Sequence, residues 1–284
     1  MDASSEISPP DGVEFREFLL FSEDFSGIRA LVPHGFVTHF LCTDGAMSFL
    51  HRQTRYHVAP GDCTILPHPA LAGDFAASDD FRALVMAIRP EFLNSIVIRS
   101  RYGVVGHLAL LQNPVMRMRK AEFDRSMEDL ARIRERLAET DHRFHAEMIG
   151  HLLAAHILDL YHIHSRGRSA EAVSPRTLQK LAAFLDLLSQ GAARRHRDLG
   201  WYAERLFVTP SYLSEICRRA SGRGASCFIE LYAAQEIARK LCNPALTITE
   251  AAEALGFSSV SYFSRFTTRC LGMSPKAFRQ SKAV

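Results

Sequence analysis

SYLSEICRRASGRGASCF, beginning at Ser211, and SYFSRFTTRCLGMSPKAF, beginning at Ser261, superpose at a shift of 50 residues. Ser211/Ser261, Tyr212/Tyr262, Ser214/Ser264, Arg219/Arg269, Gly222/Gly272 and Phe228/Phe278 are identical pairs. Leu213/Phe263 and Ile216/Phe266 are apolar in both copies and three apart, the spacing of one helix face. Upstream the match continues at a shift of 49, pairing Leu199 with Ile248, Ala203 with Ala252 and Leu206 with Leu255. One residue has been gained between. Each copy therefore reads as a short helix, a tight turn and a second helix, which is a helix-turn-helix.

The turn chemistry agrees in both copies. In the first, small Ala203 allows close helix crossing, Val208 plugs the turn, Thr209 caps, and Pro210 suits the first helical position. In the second, Thr247 to Glu250 forms a capping box, Gly256 permits the turn, Phe257 plugs it and Ser258 caps. Between the copies CFIELYAAQEIARKL (227–241) reads as a connecting helix stopped at Asn243-Pro244.

Two such units, held about one duplex turn or roughly 34 Å apart, can read successive major-groove segments on one face of double-stranded DNA. The readers are expected to be Ser211, Ser214, Glu215 and Arg218 on the first recognition helix. On the second they are Val260, Ser261, Ser264, Arg265 and Thr268. Arg265 is the foremost base reader, because a guanidinium bonds guanine O6 and N7 together. Glu215, its counterpart, either accepts from cytosine N4 or repels phosphate. Arg219, Arg223, Arg269 and Lys276 suit phosphate contacts.

Charge divides the chain in the same place. Residues 1–170 carry 18 Lys and Arg against 22 Asp and Glu, a net of −4. Residues 171–284 carry 16 against 9, a net of +7, the sign expected of the half that meets a polyanion. At 284 residues, two domains are expected. With 47% hydrophobic and 23% charged residues, the composition is that of an ordinary globular chain. No apolar run reaches the roughly 20 residues of a membrane span, and the acidic, polar start does not read as a secretory signal, so a cytoplasmic protein without a membrane partner is expected. The six cysteines form no CxxC pair, which argues against a zinc ribbon or disulfide framework.

Four segments follow from the patterning: a disordered lead-in at 1–12, a strand-rich and then helical domain at 13–164, a polar linker at 165–173 and an all-α domain at 174–284. From Phe15 to Ile88, short β-branched and aromatic runs, EFREFLLFS, GIRALVP, GFVTHFLC, AMSFLHR, YHVA, CTILP and FRALVMAI, alternate with turn signals, as in a small barrel or sandwich. RPEFLNSIVIR starts a helix at Pro90. From about Lys120 to Ile163 two antiparallel helices are joined near Thr140-Asp141, and the second is apolar enough to need the barrel or another subunit as partner.

The segment ITEAAEALGFSSVSYFSRFTTRCLGMSPKAFRQS resembles the signature of the AraC/XylS family of bacterial transcription regulators. Ile248, Ala252, Gly256, Phe257, Tyr262, Phe263, Ser264, Arg265, Gly272, Ser274, Pro275, Phe278 and Arg279 carry it. The resemblance runs from about Ser174 to Ser281 and implies a seven-helix DNA-binding domain. Two departures bear on phosphate contacts: Thr267-Thr268 replaces a basic residue after the phenylalanine, and Ala234 replaces an arginine of the connecting helix. More weakly, GDCTILPHP resembles the cupin-like sensor domain of such regulators. The fold expected is thus α+β and multidomain: a cupin-like β-barrel with a helical dimerisation segment, then an all-α domain with two helix-turn-helix units. The resemblance implies an effector-responsive homodimer that acts on promoters, by activation through RNA polymerase or by repression.

His39, His51 and Tyr56 are the candidates for a polar lining of an effector pocket, with a barrel that only dimerises in a constitutive DNA-binding protein as the alternative. A cupin-fold enzyme carrying a DNA-targeting domain is the minority reading. His34, His39, His51, His57 and His68 lack the H-x-H spacing of metal-binding cupins, so no metal or cofactor is expected. No GxSxG elbow, phosphate-binding glycine loop or HExxH is present.

Overall fold

The computed structural model describes residues 14–16, 18–23, 36–96, 103–139, 141–164 and 174–282. The lead-in 1–12, the GIRALVP stretch and the linker 165–173 lie outside them.

The β-branched and aromatic runs form β1 (Glu14–Arg16), β2 (Leu19–Ser22), β3 (Val37–Asp44), β4 (Met47–His51), β5 (Thr54–Val58), β6 (Asp62–Leu66) and, after a strand outside those runs, β7 (Ala72–Ala77), β8 (Arg82–Ile88). A further short strand, β9 (Val115–Arg117), joins them later in the chain. Gly45 makes the β3–β4 turn at φ +67°, where a Cβ would lie 2.6 Å from the Phe81 backbone.

The strands make two antiparallel sheets, one ordered β1-β2-β8-β3-β6-β9 and the other β5-β4-β7. Neither closes on itself among the described residues, so of the barrel or sandwich expected from the sequence the strands form two facing sheets. The chain passes from one sheet to the other at Ala59–Asp62, where the Asp62 carboxylate accepts from the Ala59 N–H at 3.0 Å and Gly61 N–H donates to the Cys42 carbonyl. On the far side of that turn β6 is paired on both sides, with β3 and β9, so it offers β5 no free edge.

Between the sheets lie Phe36, Phe40, Phe49, Val58, Leu66 and Val85. The outer face of the larger sheet, including Leu41, Cys63, Ile65 and Met86, packs under the antiparallel pair α3 (Lys120–Ala138) and α4 (His145–His164). The pair turns back between Ala138 and His145, with Leu130, Ile133 and Leu137 inward. Two shorter helices precede it, α1 (Pro90–Ser95), with Pro90 in its first turn, and α2 (Gly103–Gln112).

Seven helices make up the C-terminal domain among the described residues: α5 (Pro175–Ser189), α6 (Leu199–Arg205), α7 (Pro210–Ser221), α8 (Ala225–Leu241), α9 (Ile248–Ala254), α10 (Val260–Leu271) and α11 (Pro275–Lys282). α8 is the connecting helix and is buried along most of its length. The two domains share a core. Ala70, Leu71, Val105, Leu108 and Leu111 of the first lie in one apolar cluster with Leu178, Leu181, Leu213 and Phe228 of the second.

Candidate nucleic-acid interface

α6–α7 and α9–α10 repeat one another down to single hydrogen bonds. Val208 N–H donates to the Ala203 carbonyl at 3.0 Å, and Phe257 N–H donates to the Ala252 carbonyl at 3.0 Å. The left-handed residue that closes each turn is Phe207 (φ 51°) in the first unit and Gly256 (φ 66°) in the second. Thr209 caps α7 by accepting from Tyr212 N–H at 3.2 Å. The cap of α10 is Ser259, which accepts from Tyr262 N–H at 3.2 Å, and not Ser258 as the spacing suggests. The second helix of each unit ends on a left-handed glycine, Gly222 (φ 84°) and Gly272 (φ 77°).

The capping box ahead of α9 is complete. Glu250 N–H donates to Thr247 Oγ1 at 3.1 Å and Thr247 N–H donates to the Glu250 carboxylate at 2.7 Å. Hydrogen bonds from the Thr247 backbone and side chain hold the Glu250 carboxyl below its ordinary range.

Inward, Leu213, Ile216, Cys217 and Ala220 of α7 match Phe263, Phe266, Thr267 and Cys270 of α10, all buried. Outward, Ser211, Glu215, Arg218 and Arg219 are exposed on α7, and Val260, Ser261, Arg265, Thr268 and Arg269 on α10. Ser214 and Ser264 are half-buried. Ser214 Oγ sits against Gly224, where a Cβ would come within 2.6 Å of it.

Several of these groups already have partners. Arg218 donates to Glu215 at 2.9 Å, Thr268 Oγ1 donates to the Ser264 carbonyl at 3.0 Å, and Arg269 lies 3.2 Å from Glu230 with its guanidinium over Phe266. Arg265 makes no ion pair among the described residues. Tyr212 and Tyr262, 41% and 40% exposed, stand beside the predicted readers and were not among them. Their identity across the repeat was the available signal.

Of the two departures from the family pattern, Ala234 falls inside and the threonine pair is divided. Thr267 is fully buried, and so is Ala234 on α8, so neither position faces phosphate. The exposed residue of the threonine pair is Thr268.

Of the three candidate pocket residues, His39 lines a cavity of about 480 Å³ between the larger sheet, α4 and the helices α5 and α8. Tyr56 lies elsewhere, donating to the Gln112 carbonyl at 3.2 Å beside a separate recess. His51 is buried on β4 with its ring 6.3 Å from that of Tyr56. Sequence spacing missed His68, His107 and His156 on the cavity wall, because they come from a short turn, α2 and α4, which only the tertiary fold brings together.

This is the geometry of a double helix-turn-helix DNA-binding domain. Residues 202–281 match the family described as helix-turn-helix domain. The chain is 32% identical over 72 residues to the HTH-type transcriptional regulator YobQ of Bacillus subtilis, covering 25% of this chain and 30% of that protein. It is 25% identical over 128 residues to the arabinose operon regulatory protein of Salmonella typhimurium, covering 45% and 46%. The matched stretches thus span less than half of either relative. A solved structure of ToxT from Vibrio cholerae is 13% identical, covers 88% of this chain and 91% of that one, and superposes with a TM-score of 0.49. The C-terminal domain belongs to the AraC type of helix-turn-helix domain. That assignment rests on the matched sequence. Among the described residues no helix is long and apolar enough to cross a membrane.

Proposed function

We propose that the chain is a sequence-specific transcription regulator that reads a bipartite duplex site, with α7 in one major-groove segment and α10 in the next. The observation that carries this reading is the pair of identically capped helices with polar, exposed outer faces, joined by a buried connecting helix that fixes their separation. Arg265 is the principal base reader, with Ser261 and Val260 beside it on α10 and Ser211 on α7, and Arg219 and Arg269 serve the phosphates. Ser214, Ser264, Glu215, Arg218 and Thr268 are already half-buried or bonded and act mainly by shaping that face.

The N-terminal domain responds to a small molecule, and two copies associate through the outer face of α4, where Leu158 is 44% exposed. Activation through RNA polymerase is the mode the family implies. Selection from a randomised duplex pool with full-length protein at near-physiological salt tests the core of the reading. An enriched motif with two elements about one helical turn apart is expected. Salt-steep binding to any duplex, with no enriched motif, overturns it.

A further inference from the structure

The cavity between the domains has an unusual set of walls. Its lining is mostly aliphatic, from Val37, Ile65, Met86, Leu153 and Leu188, and its volume is in the range of pockets that hold small organic molecules. Two polar side chains that line it are more than nine-tenths buried and incompletely bonded. Neither ring nitrogen of His68 has a hydrogen-bond partner, and Nε2 of His156 has none. Buried polar atoms left in that state are costly, and a bound molecule that pairs them recovers the loss.

The chemistry of those nitrogens defines what would pair them. His156 Nδ1 lies 3.0 Å from the Asp129 carboxylate and must donate to it. Nε2 is then the ring nitrogen left without a partner, and a hydroxyl, which can both donate and accept, pairs it. His68, with both nitrogens unused, offers one donor and one acceptor. Burial, together with His107 and His51 nearby, pulls the His68 pKa down to about 3, so its ring is neutral. No lysine or arginine is among the described lining residues, whose only formal charges are Asp186 and Glu236. Glu236 is occupied by Arg194 at 2.8 Å and Arg239 at 2.9 Å. Nothing there compensates a buried carboxylate ligand.

We propose that this cavity binds an uncharged, largely apolar small molecule bearing a hydroxyl group, held by His68 and His156 on one side and by α5 and α8 of the DNA-binding domain on the other. The far wall includes Tyr232 and Gln235 of α8, the helix that spaces the two readers. Tyr232 is itself tied across the boundary, its hydroxyl 3.3 Å from His107 Nε2 and its ring edge-on to His68 at 5.0 Å. A ligand in this place therefore touches the spacing element directly. The inference rests on the reading of the chain as an effector-responsive regulator and adds the site and the chemical class.

The test uses full-length protein and three fluorescent probes with one body: 1-pyrenemethanol, its methyl ether and pyrene-1-carboxylate. The alcohol is expected to bind one per chain, at least tenfold tighter than the ether, which cannot donate, and the carboxylate, which brings a charge. His68→Phe, which keeps the ring shape and removes the unpaired nitrogens, should weaken the alcohol at least fivefold without lowering the unfolding midpoint. Gln235→Trp, at a half-buried position, should block the cavity from the other domain. Equal binding of the carboxylate, unchanged binding in both variants, or no binding of any probe overturns the proposal. A duplex motif selected by a protein that binds no probe sinks the cavity alone, whereas probe binding without any selected motif sinks the regulator reading alone.

Discussion

Arg197 holds its guanidinium 3.7 Å from the ring centre of Phe257 and donates to the Leu255 carbonyl. The same side chain donates to the Arg194 carbonyl. One residue ahead of the first helix-turn-helix thus clamps the turn of the second. Planar stacking and forked donation are properties of guanidinium and not of ammonium. Arg197→Lys is therefore expected to cost nearly as much as Arg197→Ala, about 1–3 kcal/mol. Both should weaken a two-element site more than either half-site, as seen by denaturant unfolding and duplex titration. Equal loss on half-sites and whole sites would refute the clamp.

Arg265→Ala should lower affinity for the selected motif by about 1–3 kcal/mol and relax one base position. Repeating the duplex selection with the variant reads both effects. Unchanged affinity and preference would mean that α10 does not present this face to the groove.

Glu215 is expected to act against binding. Its pair with Arg218 is exposed, so Glu215→Gln should change stability by less than about 0.5 kcal/mol. Freed of the carboxylate, Arg218 is available to phosphate. Affinity for any duplex should rise severalfold and its salt dependence should steepen. A loss of affinity confined to one base pair would instead assign Glu215 to a cytosine.

Stability should fall on mild acidification. Burial lowers the pKa of His51 and His107 to about 4 and of His68 to about 3, and pulls His39 well down, from an ordinary value of 6.5. Between those limits the unfolded chain binds more protons than the folded one. The stabilisation is therefore complete above about pH 6.5 and is lost as pH falls toward 4, at about 1.4 kcal/mol per pH unit for each ring. Denaturant midpoints from pH 7.5 to 5 should show this slope, flatter in His68→Phe. A flat profile would show that these rings are not held neutral.

The helix-turn-helix units were legible because their signals are local. The i, i+3 spacing of Leu213 and Ile216, the Thr209-Pro210 start and the Gly222 stop lie within 14 residues, and the copy at Ser261 repeats them. The closure of the sheet was not legible, since it depends on whether the edge strands β5 and β7 of one sheet meet β1 and β9 of the other, a non-local pairing. The short strands β7 and β9 carry little alternation of their own, and AGDFAA (72–77) and VMR (115–117) are made strands by their neighbours. The cavity was least legible, because His39, His68, His107 and His156 come from a strand, a turn and two helices spread over more than a hundred residues. Ser258 and Ser259 differ only in which one turns its hydroxyl to Tyr262 N–H, a choice made by the backbone entering α10.

Because Leu108 and Leu111 of α2 are packed among Leu178, Leu213 and Phe228, neither half of the chain finishes its own interior. A fragment cut at residue 174 would carry an uncovered oily patch where α2 and the 69–71 turn belong, and would trade that exposure for self-association. The linker marks a break in sequence character and not a seam along which the protein comes apart. Heating should accordingly melt the chain in one cooperative step.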